Sequence, residues 1–214
     1  VNIFFLSYDP RQAAQWHLDK HVVKMVTETA QLLSTAHRIL DGKLILIPST
    51  KREGRFKKHW QLPGEPTPVD DSDLSGLLCY RATHPNVPLN LWVRQSSSNY
   101  NWLYQLFLEL LKEYTYRYGR VHACSKLIDF LASPPKNIPR LVFVDPPAAM
   151  PDKYKINGDI VESYKRFYVG AKHEFAKWKV RPKPEWYDEY RRRIVEELCL
   201  ASSSPPLSPS DKLR

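Results

Sequence analysis

The chain has 214 residues, enough to bury a core without metal or disulfide staples, and its 43% apolar content excludes a disordered polymer. A set of 32 basic against 23 acidic residues leaves a formal charge of +9, which attracts polyanions and points to nucleic acid as the partner. The dispersed Cys79, Cys124 and Cys199 form no C-x-x-C pair, which speaks against a disulfide framework or structural zinc and for a reducing, cytoplasmic setting. No apolar run approaches the ~20 residues of a bilayer span, so no membrane association is expected.

In chain order, the apolar opening Val1 to Leu6 reads as a short buried strand or extended segment, too short and without the basic flank of a signal peptide. Asp9-Pro10 is a helix start, a capping carboxylate followed by proline in the first helical position. One helix is expected from there to about Leu40, stopped by Asp41-Gly42. Residues 43–76 read as a loop or hairpin insertion: Leu44 to Ile47 as a strand, and Lys51 to Lys58 as the tip or return arm of a basic hairpin. Leu74 to Tyr80 has room for one or two helical turns, and His84 to Pro88 is an extended connection. A second long helix is expected from Ser96 to Tyr118, ended by Gly119, with Leu103, Leu106, Phe107, Leu110 and Leu111 at core spacing. A short helix over 125–131, a third long helix from Asp159 to about Lys179 and a last one from Glu185 to Leu200 follow. The expected fold is mainly α: a single compact helical domain over residues 1–200, three long helices plus short ones, and a flexible Ser/Pro-rich tail over 201–214.

The first helix carries a chemical face. Residues advance by about 100° each, so His17, His21, Lys24, Glu28, Gln31 and Thr35 share one side, while Leu18, Val22, Met25, Val26, Leu32, Leu33, Ala36 and Leu40 fill the other. Two imidazoles in line with an amine and a carboxylate form a poised acid/base set. The same residues also suit a structural reading, or a metal held by His17, His21 and Glu28, although no H-E-x-x-H motif is present.

Basic and aromatic residues interleave elsewhere. The segment from Trp92 to Trp102 offers Arg94, Asn99 and serines at a helix N-terminus, a place that attracts phosphate. Arg117, Arg120 and His122 close the same helix, where cations also simply favour the helix dipole. Lys20, Lys153, Lys155 and Arg166 suit phosphates, and Trp186-Tyr187, beside Pro184, suits stacking on exposed bases.

The segments His17 to Met25, Glu113 to Gly119 and Met150 to Lys155 resemble those of a family of phage, viral and archaeal proteins of unassigned function. The order of His17-Leu18, a long Leu/Glu-rich helix, Pro151 to Tyr154, and Arg181-Pro182 with Trp186-Tyr187 is similar to that of the phage endonuclease V family, the pyrimidine-dimer DNA glycosylase/AP lyases. That resemblance implies an α-amine nucleophile, here Val1, assisted by a glutamate of the first helix. Aligning on His17-Leu18 puts Lys24 at the glutamate's position, and Glu28 is the nearest acid on that face. The resulting expectation is a monomeric, cofactor-independent enzyme acting on double-stranded DNA, with Val1, His17, His21, Lys24 and Glu28 in the catalytic roles and Lys20 or Lys24 as substitute amines. The alternatives are a non-catalytic nucleic-acid binder and a metal-dependent nuclease.

Overall fold

A computed structural model describes residues 2–203, with side chains through residue 197. Val1 and residues 204–214, with most of the expected tail, lie outside the described residues. The fold is mainly α, with seven α-helices and one two-stranded antiparallel hairpin among them.

The residues after the opening segment fold as two helices rather than one. Helix α1 spans Pro10–Trp16 and is capped by the Asp9 carboxylate on the Arg11 N–H. Helix α2 spans Asp19–Asp41. His17 and Leu18 between them are extended, with ψ of 134° and 159°. No proline or glycine marks this break; tertiary partners hold it. The Leu18 N–H donates to the Tyr168 hydroxyl at 2.7 Å, Asp19 N–H to the Lys177 carbonyl at 2.9 Å, and the Arg117 guanidinium caps the Gln15 and His17 carbonyls at 2.9 and 2.7 Å.

Strands β1 (Lys43–Pro48) and β2 (Phe56–Gln61) form the hairpin, with Ile45 opposite His59 and Leu46 opposite Lys58. Residues 74–80 do not become helical and remain turns. Helix α3 (Pro88–Gln95) begins within the stretch expected to be extended, with Pro88 in its first turn. Helix α4 (Ser97–Tyr118) has the expected caps: the Ser96 hydroxyl accepts the Ser98 N–H, and Gly119 adopts the left-handed conformation at φ 63°. A 3-10 turn leads into the short α5 (Ile128–Leu131). Helix α6 (Ile160–Lys172) starts at the Asp159 cap and stops earlier than expected, giving way to a 3-10 turn at His173–Phe175. Helix α7 (Glu185–Ser203) continues past the expected start of the tail.

A single hydrophobic cluster runs from Ile3 to Tyr187 and combines α2, α4 and α6 with the opening segment. Ile3 to Leu6 are buried as anticipated, but as an extended segment without a strand partner. The apolar side of α2 packs as its spacing requires, and Thr29 turns its hydroxyl to the Met25 carbonyl at 2.7 Å. The free thiols Cys79 and Cys124 are buried.

Candidate functional site at the start of the chain

The expected acid/base face is only partly open to solvent. His17 caps α1 instead of sitting on α2, so the helical spacing to His21 does not hold, and it is wholly buried. Its Nδ1 lies 2.6 Å from the Ala13 carbonyl, and Nε2 is sealed without a protein partner. His21 is 6% exposed, and its Nδ1 lies 3.0 Å from the Tyr168 hydroxyl. The same hydroxyl accepts the Leu18 N–H at 2.7 Å. Burial pushes His17 down to about 4 and His21 down to about 3, so both imidazoles are neutral at pH 7. The expectation that this pair meets a bound polynucleotide is therefore corrected: both rings are core groups.

Glu28 and Lys24 remain at the surface. The Lys24 ammonium lies 3.1 Å from Glu28, with side chains 67% and 14% exposed respectively. The other Glu28 oxygen, Oε2, accepts the backbone N–H of Asn2 at 2.9 Å. Asn2 is anchored in turn, donating from Nδ2 to the Ala149 carbonyl at 2.9 Å and accepting the Phe4 N–H on Oδ1 at 2.8 Å. This turn puts Phe4 at φ 45°, a region costly for a bulky residue by about 1–3 kcal/mol. The Phe4 ring stacks on His21 at 4.2 Å between centroids and 13° between planes. The buried imidazole thus serves as a platform that holds the start of the chain against Glu28.

Cations and rings surround this point. Phe4 lies 6.0 Å from Phe167, which lies 5.4 Å from Tyr154, and His21 lies 5.8 Å from Phe175. Lys20 sits over Phe175 at 5.2 Å, Lys172 over Phe167 at 5.1 Å and Lys153 over Tyr154 at 5.0 Å. These three lysines make no ion pair among the described residues. Sequence reasoning found Lys20, Lys24, Lys153 and Glu28, counted Lys172 only among the basic residues of 153–193, and missed Asn2 and Phe4. The only local signal for Asn2 was its capacity to form an Asx turn.

Several expected nucleic-acid contacts are structural instead. Arg117 is buried and bonds Glu113, Asp19 and the end of α1. Asn99 is buried, donating to the Trp92 carbonyl and accepting from the Val144 N–H. Arg94 is half-buried and donates to the Pro85 carbonyl. The Ser96 and Ser98 hydroxyls are taken up by the carbonyls of Leu141 and Val142 and the Ser97 N–H by that of Pro139, which occupies the expected phosphate site. His122 caps the 3-10 turn through Nδ1, and Arg166 pairs with Glu197. Trp186 is half-buried against Trp16 and Tyr190, and Tyr187 is buried. Lys155 is exposed and pairs with Asp152, and Arg120 is exposed.

Among the described residues no three His, Cys, Asp or Glu side chains gather as a metal site. His17 and His21 ring centroids are 6.5 Å apart, and each Nδ1 is already bonded, so joint coordination with Glu28 has no geometric support. No helix among the described residues is long and apolar enough to cross a membrane. No family model, curated protein or solved structure matches the chain.

Proposed function

We propose that the protein is a DNA-directed base-excision enzyme of the glycosylase/AP-lyase type, with an amine at the start of the chain as nucleophile and Glu28 as its carboxylate partner. The observation that carries this reading is the 2.9 Å hydrogen bond from the Asn2 backbone nitrogen to Glu28, within a surround of unpaired lysines. That nitrogen is a peptide amide; the proposed nucleophile is the α-amine of the preceding residue, Val1, on a chain in which that amine is free. An α-amine has a pKa of about 7.7–8.0, so a useful fraction is neutral and nucleophilic at pH 7.

In this scheme the neutral amine attacks C1′ of the target nucleotide, and the base departs with the glycosidic electron pair and takes up a proton. Ring opening gives an iminium at C1′, and loss of a C2′ proton expels the 3′ phosphate. Glu28 accepts the amine proton, returns it to O4′ as the sugar ring opens, and as a carboxylate then faces the iminium cation, while Lys20, Lys24, Lys153 and Lys172 neutralise flanking phosphates. His17 and His21 transfer no proton; they hold Phe4 and hence the amine.

Burial of both histidines also favours a second reading, a binder without chemistry. Borohydride in the presence of abasic-site duplex separates the two. The enzyme is expected to be trapped covalently, and Glu28→Gln to lower trapping at least tenfold; a binder forms no adduct.

A further inference from the structure

The hairpin joins the end of α2 and projects a two-faced ribbon. Its inner face is docked: Ile47 and His59 are each 2% exposed. The turn end is stapled by Asp71, which accepts from the Thr50 N–H at 2.6 Å and pairs with Lys57. Beneath the opposite end, buried Arg38 pairs with buried Glu65 and donates to the Trp60 carbonyl at 3.0 Å. The ribbon is therefore held firmly, yet its outer face is uncovered. The register puts Leu44, Leu46 and Phe56 on that side, exposed by 49%, 64% and 62%. Around them stand Lys51, Arg52, Arg55 and Lys58, all exposed and none ion-paired among the described residues, with Glu53 as the single acid of the ribbon. A solvated strand face has no need of three large apolar side chains, and four cations against one acid oppose both a second copy of the same face and a basic partner.

We propose that this ribbon is a DNA-binding element that seats in the major groove of a duplex. Two strands lie about 4.8 Å apart, and the major groove is about 12 Å wide, which admits a two-stranded ribbon. The cations then reach the phosphates on the groove walls, and Leu46 and Phe56 meet base edges such as thymine methyls. The ribbon leaves α2 13 residues after Glu28, about 20 Å along the helix axis, so it grips DNA away from the chain start. The inference rests on nucleic acid as the partner but not on the amine chemistry.

The test uses the full chain and fluorescence anisotropy with an undamaged 25-base-pair DNA duplex and its RNA counterpart across a salt series. The variants are Lys51→Gln/Arg52→Gln/Arg55→Gln and Phe56→Ser, all at exposed positions and checked by thermal melting. The triple variant is expected to lose at least tenfold in DNA affinity and to flatten the slope of log affinity against log salt by about 2–3. Phe56→Ser is expected to weaken DNA binding at least threefold without changing that slope. The RNA duplex, whose major groove is too deep and narrow for a ribbon, is expected to lose less. Unchanged DNA affinity, or equal losses on DNA and RNA, overturns groove seating, as does loss of self-association or of binding to anionic vesicles in place of DNA. An undamaged duplex presents no abasic site and anisotropy reads no covalent step, so failure of the amine chemistry and failure of the ribbon are read separately.

Discussion

Four imidazoles are buried among the described residues, His17, His21, His37 and His59, and burial lowers the pKa of each. Desolvation lowers His17 and His37 to about 4 and His21 to about 3, against 6.5 for a free imidazole. A histidine whose folded pKa is depressed binds its proton in the unfolded chain first. The stability from keeping it neutral is therefore complete above pH 6.5 and is lost as pH falls towards the folded value. Each such histidine is expected to tilt stability by about 1.4 kcal/mol per pH unit inside that window. Urea unfolding at pH 7, 6 and 5 checks this: His21→Gln should remove one proton's worth of slope, and an unchanged slope would show that His21 titrates normally in the fold. The residue scale is also where the sequence was least legible. Spacing correctly grouped His21, Lys24 and Glu28, but a hydrophilic residue on an apparent polar face says nothing of what packs over it. Here Phe4, Phe175 and Tyr168 arrive from segments up to 171 residues beyond Phe4 and cover the imidazoles.

At the scale of elements, the long helices and their stops were readable because local chemistry dictates them. Ser96 and Gly119 cap α4, and each is testable. Ser96→Ala removes the acceptor for Ser98 N–H and two bonds to the 141–142 link, and is expected to cost about 1–2 kcal/mol by urea unfolding. Gly119→Ala forces a Cβ into φ 63° and is expected to cost about 1 kcal/mol. The division of the first helix was not readable, because its hydrophobic period continues through His17-Leu18 while Tyr168, Arg117 and Lys177 draw the backbone away. The insertion is fastened by a similar long-range device. Arg38 and Glu65 are wholly buried, and Glu65 also accepts the N–H groups of Leu62 and Leu78. Glu65→Gln strands the guanidinium and is expected to destabilise by about 3–5 kcal/mol; a loss below 1 kcal/mol would show that the pair is solvated in practice.

For the whole molecule, the formal +9 charge is spread unevenly. Cations without an ion pair stand around Asn2 and Glu28, and on the hairpin at the end of α2. Composition revealed the excess but not its distribution. The basic residues of helix ends, Arg94 and Arg117, went into the interior, where carbonyls and carboxylates needed donors, and the unpaired cations were left elsewhere. The proposed enzyme depends on one juxtaposition, an amine at the start of the chain beside the Glu28 carboxylate. Borohydride trapping on abasic-site duplex, run on a chain with a free amino terminus and on one with a short peptide fused ahead of it, tests this most directly. The account predicts a covalent adduct only with the free terminus, mapping to the first residue. Equal adduct with the blocked terminus, or an adduct on an internal lysine, would contradict it.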